Sequence, residues 1–158
     1  MKHKGFLKGF AAGVLLTGMG VVGAANLGMQ RDMMQEEENI RIAMEFYDLL
    51  LNQKDWEAGS KMIGNRYVQH NLNAPDGVEG VKAHIEMLRE SYPDNRGEIK
   101  RAFSRDDLVA LHIHNKRSPE VRGNAVVDMF RIEDGKVVEH WDVVQAIPEN
   151  ALNDNTMF

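Results

Sequence analysis

The chain reads as one α+β domain, and three observations carry that reading. Apolar residues recur at helical spacing over residues 36–51 and again over 78–90. After Gly97 the period changes to two. The run 126–145, VVDMFRIEDGKVVEHWDVVQ, then splits into two strand-like halves around Asp134-Gly135. Helices first and an antiparallel meander second is the order of an α+β fold, and 158 residues are enough for one core.

Ile40, Ala43, Met44, Tyr47, Leu50 and Leu51 form one face of a first helix opening on Glu36-Glu37-Glu38, where carboxylates meet the positive end of the helix dipole. Asn52 ends it. Asp55 is placed to cap a second, short helix that carries Trp56, Met62 and Ile63 and is closed by Gly64. Residues 67–70 read as a short strand, and 71–77, dense in Asn, Pro, Asp and Gly, as a loop. A third helix over about 78–90 turns Val81, Ile85 and Leu88 inward before Tyr92-Pro93-Asp94 stops it; His84 on this helix reads as surface. Strands follow at 99–105 and 108–116, joined by Asp106-Asp107, with a longer connection through Ser118-Pro119-Glu120. The tail from Pro148 is polar and rich in Asn.

The beginning of the chain is of another kind. Lys2, Lys4 and Lys8 precede the apolar run 10–22, which ends in Gly23-Ala24-Ala25. A basic start, short apolar centre and small-residue end describe a secretory signal peptide over residues 1–25, followed by a flexible lead-in at 26–35 and the folded domain at 36–158. The domain is therefore expected to be exported, periplasmic or extracellular, or membrane-anchored if the segment stays uncleaved. Losing three lysines with residues 1–25 moves the net charge from −5 to −8, a poor balance for binding nucleic acid or an anionic membrane. The chain has no Cys, which excludes disulfides, thiol nucleophiles and Cys-ligated metals.

Polar residues inside the last hairpin carry the functional signal. Asp128, Arg131, His140 and Asp142 interrupt segments otherwise rich in Val, Ile, Met, Phe and Trp, and carboxylates in such surroundings have shifted pKa values. Parity splits each strand into two sets: Asp128 with Phe130 against Met129 with Arg131, and His140 with Asp142 against Trp141 with Gln145. Periodicity alone leaves open which set lines a pocket. In 108–116 the odd positions are apolar, which puts His112 and His114 together on the other face.

The element order is similar to that of the nuclear-transport-factor-2-like cone, in which a curved antiparallel sheet wraps a pocket closed by N-terminal helices. The blocks Tyr67-Val68-Gln69-His70-Asn71, Asp76-Gly77-Val78-Glu79-Gly80, Val127-Asp128-Met129-Phe130-Arg131 and residues 134–145 resemble the SnoaL-like polyketide cyclases, in particular the subgroup described as aldol-condensation enzymes. The resemblance spans residues 40–158. It implies acid/base chemistry on a small carbonyl compound without metal or cofactor, with an acidic residue as general acid/base and a nearby His. On that reading Asp142 and Asp128 are the leading catalytic candidates, with His70 at the pocket rim; Tyr67 is expected to share its face and to hydrogen-bond a carbonyl. His112, His114, Arg131, His140 and Trp141 are candidate substrate contacts, and a homodimer through the outer sheet face is expected. Two other readings stand beside it: a non-catalytic small-molecule pocket of the cell envelope, and a metal site on His112 and His114 completed by Asp128 or His140.

Overall fold

A computed structural model describes residues 31–158; the expected signal segment and the first half of the expected lead-in lie outside the described residues. Among the described residues no helix is long and apolar enough to cross a membrane. The first helix, α1 (Met33–Tyr47), begins three residues before Glu36, because Asp32 caps it by accepting the Gln35 N–H at 3.0 Å. Residues 33–35 are thus its first turn and not lead-in. Glu36 and Asn39 are buried in α1 because they clamp the turn at Asp106, whose φ is +55°. The Glu36 carboxylate accepts the Asp106 N–H at 3.1 Å, and the Asn39 amide donates to the Asp106 carbonyl at 2.9 Å.

A π-helical turn, Asp48–Asn52, extends α1. It ends where expected, at Asn52, whose amide brackets Gly97 by donating to its carbonyl (3.0 Å) and accepting its N–H (2.8 Å). Asp55 caps α2 (Trp56–Gly59) by accepting the Ala58 N–H at 3.0 Å, and a 3-10 turn, Ser60–Met62, follows. Gly64 does not close that helix; it lies inside β1 (Ile63–Gln69), which is longer than the expected strand. After α3 (Gly77–Ser91) come β2 (Arg96–Arg105), β3 (Leu108–Lys116), β4 (Asn124–Glu133) and β5 (Lys136–Ala146).

The sheet order is β1-β5-β4-β3-β2. The four later strands form the expected antiparallel meander. The sheet as a whole is mixed, however, because β1 pairs with β5 in parallel. The intervening α3 lets the chain cross from one edge to the other, a connection that no hairpin can make. Register shifts fall in β1–β5, β2–β3 and β4–β5, and such bulges bend strands and raise their twist. Onto the inner face pack Ile42, Ala43, Phe46, Tyr47 and Leu50 from the first helix and Val81, Ile85 and Leu88 from α3. Phe46 meets Phe130 edge to face at 5.4 Å, inside the favourable range for aromatic pairs.

One bulge positions the site. The turn residues Asp134 and Gly135 have φ of +50° and +72°, the hand that matches strand twist in a two-residue hairpin. From this turn Glu133 pairs with Lys136 and Ile132 with Val137, but Arg131 pairs with Glu139, so Val138 is the extra residue. Both Val137 and Val138 are buried. Room for Val138 comes from Gly64, where an added Cβ would lie 2.6 Å from Val138 Cγ1. Gly64→Ala should therefore press a stiff β-branched side chain and cost about 1–3 kcal/mol. Gly135→Ala meets nothing within 4 Å and should cost only the strain of its positive φ, about 1 kcal/mol. Urea denaturation of the two variants checks the order; a Gly64→Ala variant as stable as wild type would show that the bulge is not packed as described.

Candidate active site

With the bulge in place, β4 and β5 turn their even-numbered residues inward: Asp128 faces Asp142, Phe130 faces His140, and Leu111 of β3 completes the row beside Asp128. Asp128, Phe130, His140 and Asp142 border a cavity of about 120 Å³ whose other walls include Phe46, Leu50, Tyr67, Val81 and Ile85. An apolar enclosure thus surrounds two carboxylates and an imidazole.

The local bonds define where the protons sit. Gln69 Oε1 accepts the Asn71 backbone N–H at 2.9 Å, and His140 Nδ1 lies 2.9 Å from the same oxygen. An oxygen offers no proton, so His140 carries one on Nδ1. Its Nε2 faces Asp128 Oδ1 at 3.3 Å, so a proton on either atom bridges the two groups. Asp128 is 8% exposed, and burial pushes its carboxyl above the usual carboxylate range while His140 pulls the other way. Asp142 is held differently: its Oδ2 accepts from Asn71 Nδ2 at 2.6 Å. The ring of His140 stacks on Phe130 at 5.0 Å, which fixes its plane.

Tyr67 is buried on the same wall, and no hydrogen-bond partner of its hydroxyl is seen among the described residues. Burial first, and then the charges of Asp128 and Asp142, raise its pKa, so the hydroxyl stays a donor. His84 also lines the cavity. Exposed on its outer side, it is desolvated on the cavity side, which lowers its pKa. Among the described residues the group with metal-ligand spacing is Asp128, His140 and Asp142, whose ligand atoms all lie within 4.8 Å of one another.

Other expected site residues lie elsewhere. Tyr67 and His70 are three positions apart in an extended segment and so fall on opposite faces. His70 points outward, stacks on Trp141 at 4.7 Å and bonds Glu139 at 2.8 Å. Arg131 joins the same outer cluster through Glu139 and Asp107. His112 and His114 also face outward, where both rings pack against Phe158 at 5.3 and 4.5 Å. Asp128 and His140 lie on the opposite face and do not complete a metal site with them. The sequence reading missed Gln69, Asn71 and His84. Strand parity with Tyr67 marks the first two, and the stripe of Gly80, Val81, Ile85 and Leu88 marks His84.

An open mixed sheet whose inner face and overlying helices enclose a largely apolar pocket is the nuclear-transport-factor-2-like fold. The sequence profile of the SnoaL-like polyketide cyclase family matches residues 41–149, and the chain belongs to that family. No curated protein sequence matches it. Among solved structures it is similar to AclR from Streptomyces galilaeus, provisionally named a hydroxylase, with TM-score 0.58 and 23% identity over 72% of this chain and 82% of that one. A provisionally named polyketide cyclase from Bacillus cereus gives TM-score 0.59 and 21% identity over 68% and 74%. A provisionally named ketosteroid isomerase from Kribbella flavida gives 0.59 and 14% over 78% and 90%.

The raised pKa of Asp128 makes a stability prediction. Below about pH 3.9 a carboxyl is protonated in both folded and unfolded chains. As pH rises toward the folded pKa, the unfolded chain releases a proton that the folded protein keeps, so this group's contribution to stability falls. Asp128→Asn removes that fall, and the variant should gain stability relative to wild type as pH rises from about 4. Urea midpoints from about pH 3.5 to about 8 check it; an offset independent of pH would mean that Asp128 titrates alike in both states.

Proposed function

We propose that this cavity is the active site of a cofactor-independent acid/base enzyme acting on a small carbonyl compound, by aldol, cyclase or isomerase chemistry. The observation that carries the reading is the cross-strand placement of Asp128 and Asp142 in an apolar cavity, with His140 bonded to the first and Asn71 to the second. Two carboxylates in unlike environments can divide the roles of acid and base.

In this reading the Asp142 carboxylate removes the proton next to the substrate carbonyl. The C–H pair moves into the C–C bond, and the carbonyl oxygen becomes an enolate. The Tyr67 hydroxyl donates a hydrogen bond to that oxygen, and the proton held near Asp128 and His140 offsets part of its negative charge. Asp142 then returns its proton, to a different carbon in isomerisation or to the new alkoxide after the enolate carbon attacks a second carbonyl. Family membership and the solved relatives support the class of reaction, while the roles rest on the cavity's geometry. The reading includes export, supported by the pattern of residues 1–25, and a homodimer, supported by Phe103, Val127 and Val143 exposed on the outer sheet face.

Asp142→Asn should reduce exchange of α-protons into D2O about 100-fold or more, and Tyr67→Phe about tenfold, with the fold unchanged. NMR of a panel of small ketones with wild-type and variant protein measures both. Equal rates in wild type and Asp142→Asn would remove Asp142 as the base. Binding with no exchange in wild type would favour a non-catalytic pocket.

A further inference from the structure

A second, more open lobe of about 210 Å³ adjoins the apolar cavity, and the two share Leu51, Asn71, His84, Asp128 and Asp142. The reacting groups therefore stand at a neck between unlike compartments. The inner lobe is walled by aromatic and aliphatic side chains. The outer lobe adds the amides of Asn95, Asn115 and Asn124 and one guanidinium, that of Arg117, to apolar walls from Met87, Leu88, Val126 and Val144.

Arg117 is positioned in advance. Its guanidinium lies 4.4 Å from the centre of the Tyr92 ring, and its Nη1 donates to the Tyr92 hydroxyl at 3.1 Å. Among the described residues it has no carboxylate partner. Burial is the main cause of the lowered pKa of His84 at the neck, and the charge of Arg117 adds a small part. A stacked guanidinium with donors to spare suits a carboxylate, because its N–H groups match that group's geometry.

Volume limits what the inner lobe can hold. A dry cavity of about 150 Å³ accepts benzene. The inner lobe, at about 120 Å³, is of one-ring size and too small for fused rings.

We infer that the substrate is a small keto acid: one ring or a branched chain in the inner lobe, the carbonyl at the Asp128–Asp142 neck, and a carboxylate in the outer lobe against Arg117. This rests on the active-site reading above and adds the substrate class. Arg117 is then a specificity-determining residue, touching the end of the substrate that does not react.

The test uses 4-oxo-4-phenylbutanoate, its methyl ester and the 2-naphthyl analogue of the acid, by calorimetry on the wild-type protein. The acid should bind about tenfold or more tighter than its ester, and tighter than the naphthyl acid by a similar factor. Arg117→Gln should bring the acid-to-ester ratio close to one, chiefly by weakening binding of the acid, and Arg117→Lys should restore part of the preference. Equal binding of acid and ester, a ratio unaltered in Arg117→Gln, naphthyl binding as tight as phenyl, or no binding of the acid at millimolar concentration would each overturn the inference. Exchange of the α-protons of the bound acid reports separately on the base. Discrimination without exchange would leave the carboxylate lobe standing and sink the active-site reading.

Discussion

The bulge at Val138 is the constraint on which the site depends. Counting without interruption from the Asp134-Gly135 turn would pair Asp128 with Trp141 and Phe130 with Glu139. The observed pairs are Asp128 with Asp142 and Phe130 with His140. Because side chains alternate, a shift of one residue exchanges every inward group of β5 for an outward one. An uninterrupted hairpin would put a carboxylate, an indole and Val143 into the cavity and leave His140 and Asp142 outside. The extra valine, and the glycine in β1 that admits it, therefore decide the chemistry of the wall several residues away.

Such a wall is costly for the fold. Like charges directly opposite on a sheet are unfavourable, and Asp128 is almost without water. The structure relieves this by giving each carboxylate its own partner. His140 supplies Asp128 with a proton to share, and Asn71 supplies Asp142 with a neutral donor. Gln69 ties the two halves together, since one oxygen receives both the His140 ring and the Asn71 backbone. Five residues, from β4, β5 and the end of β1, thus form one connected polar system in an otherwise apolar place. Removing any member strands a polar group without water, which is why such networks are rigid.

Much of this was legible in the sequence, and the limits have physical causes. The Asp-Gly turn, the bounds of β3 and the Asp55 cap follow from local preferences, and local preferences were enough to find them. The two faces of the last strands were visible as alternatives. The choice between them was not, because Val137-Val138-Glu139 carries no mark of a bulge: two adjacent valines suit a regular strand equally well. The parallel pairing of β1 depends on a long-range connection that its short apolar pattern does not encode. His84 is exposed, as the sequence reading has it, but its place beside Val81, Ile85 and Leu88 also brings it to the cavity wall. Glu36 suits the helix dipole on sequence alone, while the contact that buries it, with Asp106, is seventy positions away in the chain.

The residues that were expected at the site but lie behind it bear on the same constraint. Arg131 and Glu139 are the first pair beyond the bulge, and their side chains bond at 2.7 Å on the outer face. Arg131 also reaches Asp107 in the β2–β3 turn, while Glu139 reaches His70 at the end of β1. Trp141 lies against both the His70 ring and the Arg131 guanidinium. Three strands and a turn are thereby tied around the position where β5 could slip. An isolated exposed ion pair adds little, but this one is half-buried and belongs to a network, where geometry is shared among several bonds. A slip of one residue would break all of these contacts and expel His140 and Asp142 from the cavity in the same step. The outer cluster and the inner carboxylates are two faces of one register, so charge on the back of the sheet holds the chemistry on its front.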